Sequence, residues 1–236
     1  MTALLPESVK RRIKDRLGVP GMESGLLNLR ANGFAPNVVL DIGAYRGEWT
    51  LLCKRIWPRC SVLMLEAAPA RMPELRRVAA ALDGVQAREA LLGADARPSV
   101  AFYEQESASS VLPESAKTDQ LSTDLRMRTL DEAVADTAFV APDFVKADVQ
   151  GYELEVLKGG RQALQSAEVV LLEVNLLEIY QGAPLLHEAV CFMGNQGFRA
   201  YDVCNLYRRP LDHALWQMDM IFVRDNSRLV ASKRYE

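Results

Sequence analysis

The chain has 236 residues, 49% of them hydrophobic and 25% charged, with a formal net charge of −3, proportions that exclude disorder for most of its length. The near balance of charge leaves no broad cationic field for a polyphosphate, so nucleic acid is not an expected partner. No apolar run approaches the roughly 20 residues needed to cross a bilayer, and the start of the chain is basic and polar, which predicts a cytoplasmic protein with no membrane partner.

Residues 1–35 read as a helical extension, and residues 36–236 as one domain. In the extension, Val9, Ile13 and Leu17 fall on one face of a basic helix ended by Gly18 and Pro20, and Leu26, Leu27 and Leu29 lie in a second helix closed by Asn32 and Gly33. After Pro36 the pattern changes to short apolar runs: Val38 to Ile42, Val62 to Leu65, Phe144 to Val149, Val169 to Val174 and Met220 to Val223. Runs without alternation are what strands buried on both faces show, so the fold class is α/β with a mostly parallel sheet flanked by helices. Helices are predicted at Gly47 to Trp57 and Pro69 to Leu82, and a third strand at Gly84 to Ala90. Asp95 to Asp136 is the least regular part, with a candidate strand at Val100 to Tyr103 and a turn rich in Ser107, Ser109 and Ser110. Its part up to Leu130 is expected to contain an acceptor-facing lid. Cys53, Cys60, Cys191 and Cys204 form no C-x-x-C pair and are expected as reduced thiols.

The strongest signal is the passage Val38-Val39-Leu40-Asp41-Ile42-Gly43-Ala44-Tyr45-Arg46-Gly47-Glu48, a buried strand running into a glycine turn and then a helix. In an open α/β sheet this is where the backbone can approach a ligand closely. The dinucleotide pattern would need glycine where Tyr45 and Glu48 stand, and the Walker pattern is absent, which disfavours an oxidoreductase using NAD(P). Asp41 at the strand end suits a cationic ligand better than a phosphate. Glu66 ends the second strand, where a carboxylate can accept both hydroxyls of a ribose. Asp41, Gly43, Ala44, Gly47 and Glu66 therefore point to S-adenosylmethionine, which carries a sulfonium, an ammonium and no phosphate.

Together with that turn, the block from Phe144 to Gly160, which contains Lys-x-Asp-x-x-Gly-x-Glu-x-x-x-Leu-x-Gly from Lys146 to Gly159, and the later Val170-Leu171-Leu172-Glu173-Val174 resemble the FkbM-type family of S-adenosylmethionine-dependent methyltransferases. The resemblance implies a class I methyltransferase (Rossmann-like) fold, with a seven-stranded sheet whose last strand, around Asp219 to Val223, runs antiparallel. It also implies an O-methyltransferase acting on a hydroxyl of a sugar or secondary metabolite. Tyr45, Gln150 and the triplet Leu65-Glu66-Ala67 depart from the family's usual residues.

Lys146, Asp148 and Glu153 fall at the catalytic end of the fourth sheet strand. Asp148 is expected either at the methionine end of the donor or as the base for the acceptor hydroxyl, and Lys146 with Glu153 as a structural ion pair. Glu173, Asn175, Glu178 and Tyr180 are candidates for the acceptor pocket, Glu178 and Tyr180 alternatively as exposed helix residues. His187, in an expected acceptor-side loop, and Glu173 are further candidate bases. His213 is expected to be structural, and Trp49, Trp57 and Trp216 to pack against the sheet. No His/Cys cluster suggests a metal. A donor-binding protein without catalysis is the remaining alternative, and a homo-oligomer is compatible with all of these readings.

Overall fold

A computed structural model describes residues 18–103, 109–115 and 121–235. The basic helix expected around Val9, Ile13 and Leu17, and Ser107, lie outside the described residues.

After helix α1 (Met22–Ala31) the chain enters the parallel part of the sheet through β1 (Val38–Ile42), α2 (Glu48–Ile56), β2 (Ser61–Glu66), α3 (Met72–Ala80) and β3 (Val85–Glu89). Strands β4 (Leu91–Leu92), β5 (Arg97–Tyr103) and β6 (Ser122–Arg128) follow, then α4 (Leu130–Val134), β7 (Phe144–Ala147), α5 (Glu153–Lys158), α6 (Arg161–Ser166), β8 (Val169–Asn175), α7 (Leu186–Asn195), β9 (Phe198–Arg208) and β10 (Leu215–Arg224). The main sheet has seven strands in the order β3-β2-β1-β7-β8-β10-β9. Neighbours from β3 to β8 are parallel, and β10 runs antiparallel to both β8 and β9.

Side chains leave successive strand positions on opposite faces, and both faces are covered. Leu40, Ile42, Val145, Leu172 and Phe222 meet helices α4 to α7 on one side. Val39, Val62, Phe144, Leu171 and Ile221 meet α1, α2 and α3 on the other. Phe144 is the centre of that second core: the rings of Phe34, Trp49 and Trp57 pack edge-on at 5.7, 5.4 and 6.1 Å, the arrangement aromatic quadrupoles favour. Trp49 and Trp57 thus pack on the sheet as expected. Trp216 instead belongs to the sheet, within β10, and its carbonyl accepts the Leu176 amide at 2.8 Å.

The stretch expected to contain a lid supplies, in its described part, strands β5 and β6 of a second sheet of order β4-β6-β5, and the candidate strand at Val100 to Tyr103 falls within β5. This second sheet buries Leu91, Phe102 and Met127 against Ala68 and so builds a packed wall beside the end of β2. Segment 109–115 runs from this wall to the loop after β8, where the Ser115 amide donates to the Ile179 carbonyl at 2.7 Å and the Gln181 amide to that of Pro113 at 3.0 Å. The alternative reading of Glu178 and Tyr180 as exposed helix residues does not hold: both stand in the loop between β8 and α7, and Tyr180 is buried.

Candidate functional site

The carboxyl ends of β1, β2 and β7 meet at a cleft, and the glycine turn forms one side of it. The turn is folded back against β2: the amides of Gly43 and Ala44 donate to the Leu65 carbonyl at 2.9 and 3.2 Å. Gly43 (φ +71°) cannot be replaced without a collision, because a Cβ there would sit 1.8 Å from the carbonyl oxygen of Asp148. The glycine is thus required by the crossing of two backbone segments, in addition to any approach of a ligand.

Behind the turn lies a buried ion pair. In the β1–β7 register Asp41 stands opposite Lys146, and Lys146 Nζ lies 3.1 Å from Asp41 Oδ1 and 3.6 Å from Asp148 Oδ2. The same ammonium donates to the carbonyls of Gly43 and Ile42 at 2.8 and 3.3 Å, and Thr50 Oγ1 donates to Asp41 Oδ2 at 2.6 Å. Burial alone would favour the neutral amine, but Asp41 and Asp148 outweigh it and hold the ammonium above the ordinary lysine range. Asp41 is 0% exposed, so this carboxylate faces Lys146 and Thr50 rather than a ligand's amino group. Lys146 pairs with Asp41 and Asp148 and not, as expected from sequence, with Glu153.

Glu153 has a different task. Its Oε1 accepts the amides of Val149 and Gly151 at 2.8 and 3.1 Å, which shapes the turn after β7. Burial, reinforced by the charge of Asp148, pushes its carboxyl up to about 7 even though the two backbone amides oppose the shift.

Gly43, Glu66 and Asp148 line the cleft. Glu66 Oε2 accepts the Tyr45 amide at 2.8 Å and Oε1 the Ala68 amide at 2.9 Å. These use two of the roughly four acceptor positions a carboxylate offers, leaving the others for a ligand. Burial raises the Glu66 carboxyl above its ordinary value, partly offset by those amides. Asp148, with a third of its side chain exposed, accepts from Gln150 Nε2 at 3.0 Å. The opposite wall is apolar, with Ala90, Leu91, Leu92, Phe102 and Val111, and the Arg71 guanidinium lies over the Tyr45 ring at 4.5 Å on the rim.

Ala44 and Gly47 do not line the cleft: Ala44 is buried beneath the turn, and Gly47 is the left-handed cap residue of α2. Glu173 sits one layer back and accepts from Gln150 Nε2 at 3.0 Å and Gln217 Nε2 at 2.8 Å. Asn175 is buried beside it, bonded to the same Gln217. His187 is exposed on the first turn of α7 rather than in a loop, and it is not part of the cleft wall. His213, at φ +60°, closes the β9–β10 hairpin. Tyr152 and Ser110 also line the cleft; Tyr152 carries no sequence signal as a site residue, and Ser110, noted from sequence only as part of a serine-rich turn, arrives from segment 109–115. Among the described residues no group of His, Cys, Asp and Glu is placed to hold a metal ion.

Residues 41–200, which include the turn, Glu66 and Asp148, match the Methyltransferase FkbM domain. The chain belongs to the FkbM methyltransferase family. The protein is 30% identical over 146 residues to Methyltransferase 1 of Beauveria bassiana, covering 51% of this chain and 57% of that relative. It is 49% identical over 45 residues to the hexuronic acid methyltransferase AglP of Haloferax volcanii, covering 19% of each. The chain therefore matches less than two thirds of the length of either curated relative. Among solved structures, the FkbM methyltransferase of Methylobacillus flagellatus superposes with a TM-score of 0.53 at 16% identity, over 79% of this chain and 43% of that one. Magnesium protoporphyrin IX methyltransferase of Synechocystis, with bound SAH, gives 0.52 at 12% identity over 95% and 90%. These two likenesses establish the fold, a class I methyltransferase sheet. No helix among the described residues is long and apolar enough to cross a membrane.

Proposed function

We propose that this methyltransferase uses S-adenosylmethionine to methylate a hydroxyl of a small molecule, a sugar or secondary metabolite, and that Asp148 accepts the hydroxyl proton. The observation that carries the reading is that Glu66 and Asp148 line one cleft at the carboxyl ends of β2 and β7. When bound, S-adenosylmethionine supplies an electrophilic methyl group on a sulfonium centre. Glu66 offers its remaining acceptor positions to a ribose diol, and the wall of Ala90, Leu91 and Leu92 suits an uncharged aromatic ring. The lysine nearest the turn is fully engaged by Asp41, Asp148 and two carbonyls, so it is not available to a phosphate. That favours a phosphate-free donor over NAD(P).

Holding the acceptor oxygen in line with the methyl group supplies much of the acceleration in such a displacement. Proton acceptance by a placed carboxylate adds roughly 10²–10⁴-fold. Asp148 is the acid that combines the cleft with partial exposure; Glu173 reaches the cleft only through Gln150, and His187 stands on an exposed helix turn. The resemblance to a hexuronic acid methyltransferase, although short, supports a carbohydrate acceptor, and the net charge of −3 supports a small molecule over a nucleic acid. With four free cysteines, one of them exposed, a reducing cytoplasm is the proposed setting.

The test is transfer of label from methyl-labelled S-adenosylmethionine to a panel of hexuronic acids, neutral sugars and phenolic metabolites. Asp148→Asn is expected to lower turnover by roughly 10²–10⁴ with donor affinity within a few-fold. Lost donor affinity would assign Asp148 to the donor's methionine end, and tight donor binding without transfer to any acceptor would favour a non-catalytic role.

A further inference from the structure

Gln150 stands in the left-handed region at φ +57°, followed by Gly151 at +93°, a conformation that costs free energy for a side chain of this kind. The backbone is held there from two sides. Ser110 Oγ donates to the Gln150 carbonyl at 2.8 Å, and the amides flanking Gln150, those of Val149 and Gly151, both donate to Glu153 Oε1. Next to it, a Cβ at position 151 would lie 2.9 Å from the Ala183 methyl, so the chain has little room to relax.

The result of this strained turn is that the Gln150 carboxamide points back into the fold, where each of its polar atoms has a partner. Nε2 donates to Asp148 Oδ1 and to Glu173 Oε2, both at 3.0 Å. Oε1 accepts the Tyr180 hydroxyl at 2.7 Å. An amide nitrogen has two hydrogens to give and both carboxylate oxygens here are acceptors, so the orientation of the carboxamide follows from its neighbours.

We propose that Gln150 is a positioning residue for the reaction: its carboxamide fixes the aim of the Asp148 carboxylate and ties it to Glu173 on β8 and Tyr180 in the following loop. The inference rests on the reading of Asp148 as the proton acceptor. Among the described residues Asp148 has one ammonium beside it, Lys146 on β7, at 3.6 Å. The other titratable groups that feel the Asp148 charge are Glu153 on α5, Glu173 on β8, the neutral Tyr180 in the loop and Tyr207 on β9, and Asp219 on β10, with Asp41 on β1 sharing the ammonium. In so acidic a surrounding a neutral amide does what a carboxylate at position 150 could not: it donates to two acids at once and adds no negative charge.

The experiment follows the Asp148 carboxyl directly, by NMR titration of the full chain labelled with ¹³C at the aspartate carboxyl carbons, its resonance assigned by its loss in Asp148→Asn. In Gln150→Glu the Asp148 midpoint is expected to rise by about one pH unit or more, because a like charge replaces a donor. In Gln150→Met it is expected to rise by less, because only the donor is lost. S-adenosylhomocysteine affinity by calorimetry is expected to stay within a few-fold in both variants. With the acceptor that takes label in the panel above, kcat is expected to fall roughly 10-fold or more while the acceptor KM holds, the split a positioning role requires. If the methionine variant does not fold, the near-isosteric glutamate variant decides alone. An unchanged Asp148 midpoint in the folded variants overturns the inference, and it does so without touching the catalytic reading if Asp148→Asn still abolishes turnover. Full turnover by Asp148→Asn overturns the catalytic reading itself, and the positioning role falls with it.

Discussion

Replacing Lys146 by methionine removes the ammonium that compensates Asp41 and tethers the glycine turn. Asp41 is 0% and Lys146 4% exposed, so water cannot readily take over the role of the lost charge. Removing one partner of a buried pair costs about 3–5 kcal/mol, because the other is left uncompensated. For a chain of this size each kcal/mol lowers Tm by about 2–4 °C, giving an expected fall of roughly 6–20 °C. The carbonyls of Ile42 and Gly43 lose a donor at the same time, so the turn should loosen as well as the fold. Adding Asp41→Asn removes the stranded charge and should recover at least about 1 kcal/mol relative to the sum of the two single changes, the coupling expected of contacting residues. Urea unfolding of the four proteins at neutral pH measures the cycle. A Lys146→Met loss below about 1 kcal/mol, or additive effects, would refute the claim that this pair anchors the turn.

Three further outcomes follow from the same geometry. Glu66→Ala is expected to weaken S-adenosylmethionine binding by about 1.5–3 kcal/mol, roughly 10- to 150-fold, the range for hydrogen bonds to a charged group; calorimetry measures it. Gly43→Val should give little folded protein, because its Cβ would meet the Asp148 carbonyl at 1.8 Å; a circular dichroism melt like that of the native chain would count against the described crossing. Glu153, with a carboxyl pushed up from 4.5 to about 7, holds its proton more tightly folded than unfolded. Its contribution to stability is therefore fully present below the ordinary glutamate range and lost as pH rises through about 7. Glu153→Gln keeps the acceptor for the Val149 and Gly151 amides, so it should remove up to ~3 kcal/mol of the decline in unfolding free energy between pH 5 and 8. An unaltered slope in that window would show that the carboxyl is not the group responsible.

The sequence speaks most clearly where burial is two-sided. The apolar run Val38 to Ile42 coincides with β1 because a parallel central strand has no wet face to interrupt the pattern. Strand β6 was not visible because only Met127 along Ser122–Arg128 is fully buried, and the long edge strand β9 was hidden by its mostly exposed or half-buried residues. Within the site, Glu66 and Asp148 were legible as acids ending buried strands. What no spacing could show is register. Asp41 meets Lys146, and Glu173 meets Asp219, only because particular residues of neighbouring strands stand opposite each other. For the same reason the place of Asp41 at a strand end suggests a ligand contact, whereas its carboxylate is engaged by Lys146 and Thr50 behind the turn. Gln150, which sequence marks only as a departure from the family's usual residue, acquires meaning from a left-handed φ that brings it to Asp148, Glu173 and Tyr180.

Whether the cleft between the glycine turn, Glu66 and Asp148 is a methyl-donor site is tested most directly by calorimetric titration of the purified protein with S-adenosylmethionine and, separately, with NAD. Saturable one-to-one binding of S-adenosylmethionine and no binding of NAD are expected. Saturable binding of NAD with none of S-adenosylmethionine would contradict the assignment of the cleft to a methyl donor.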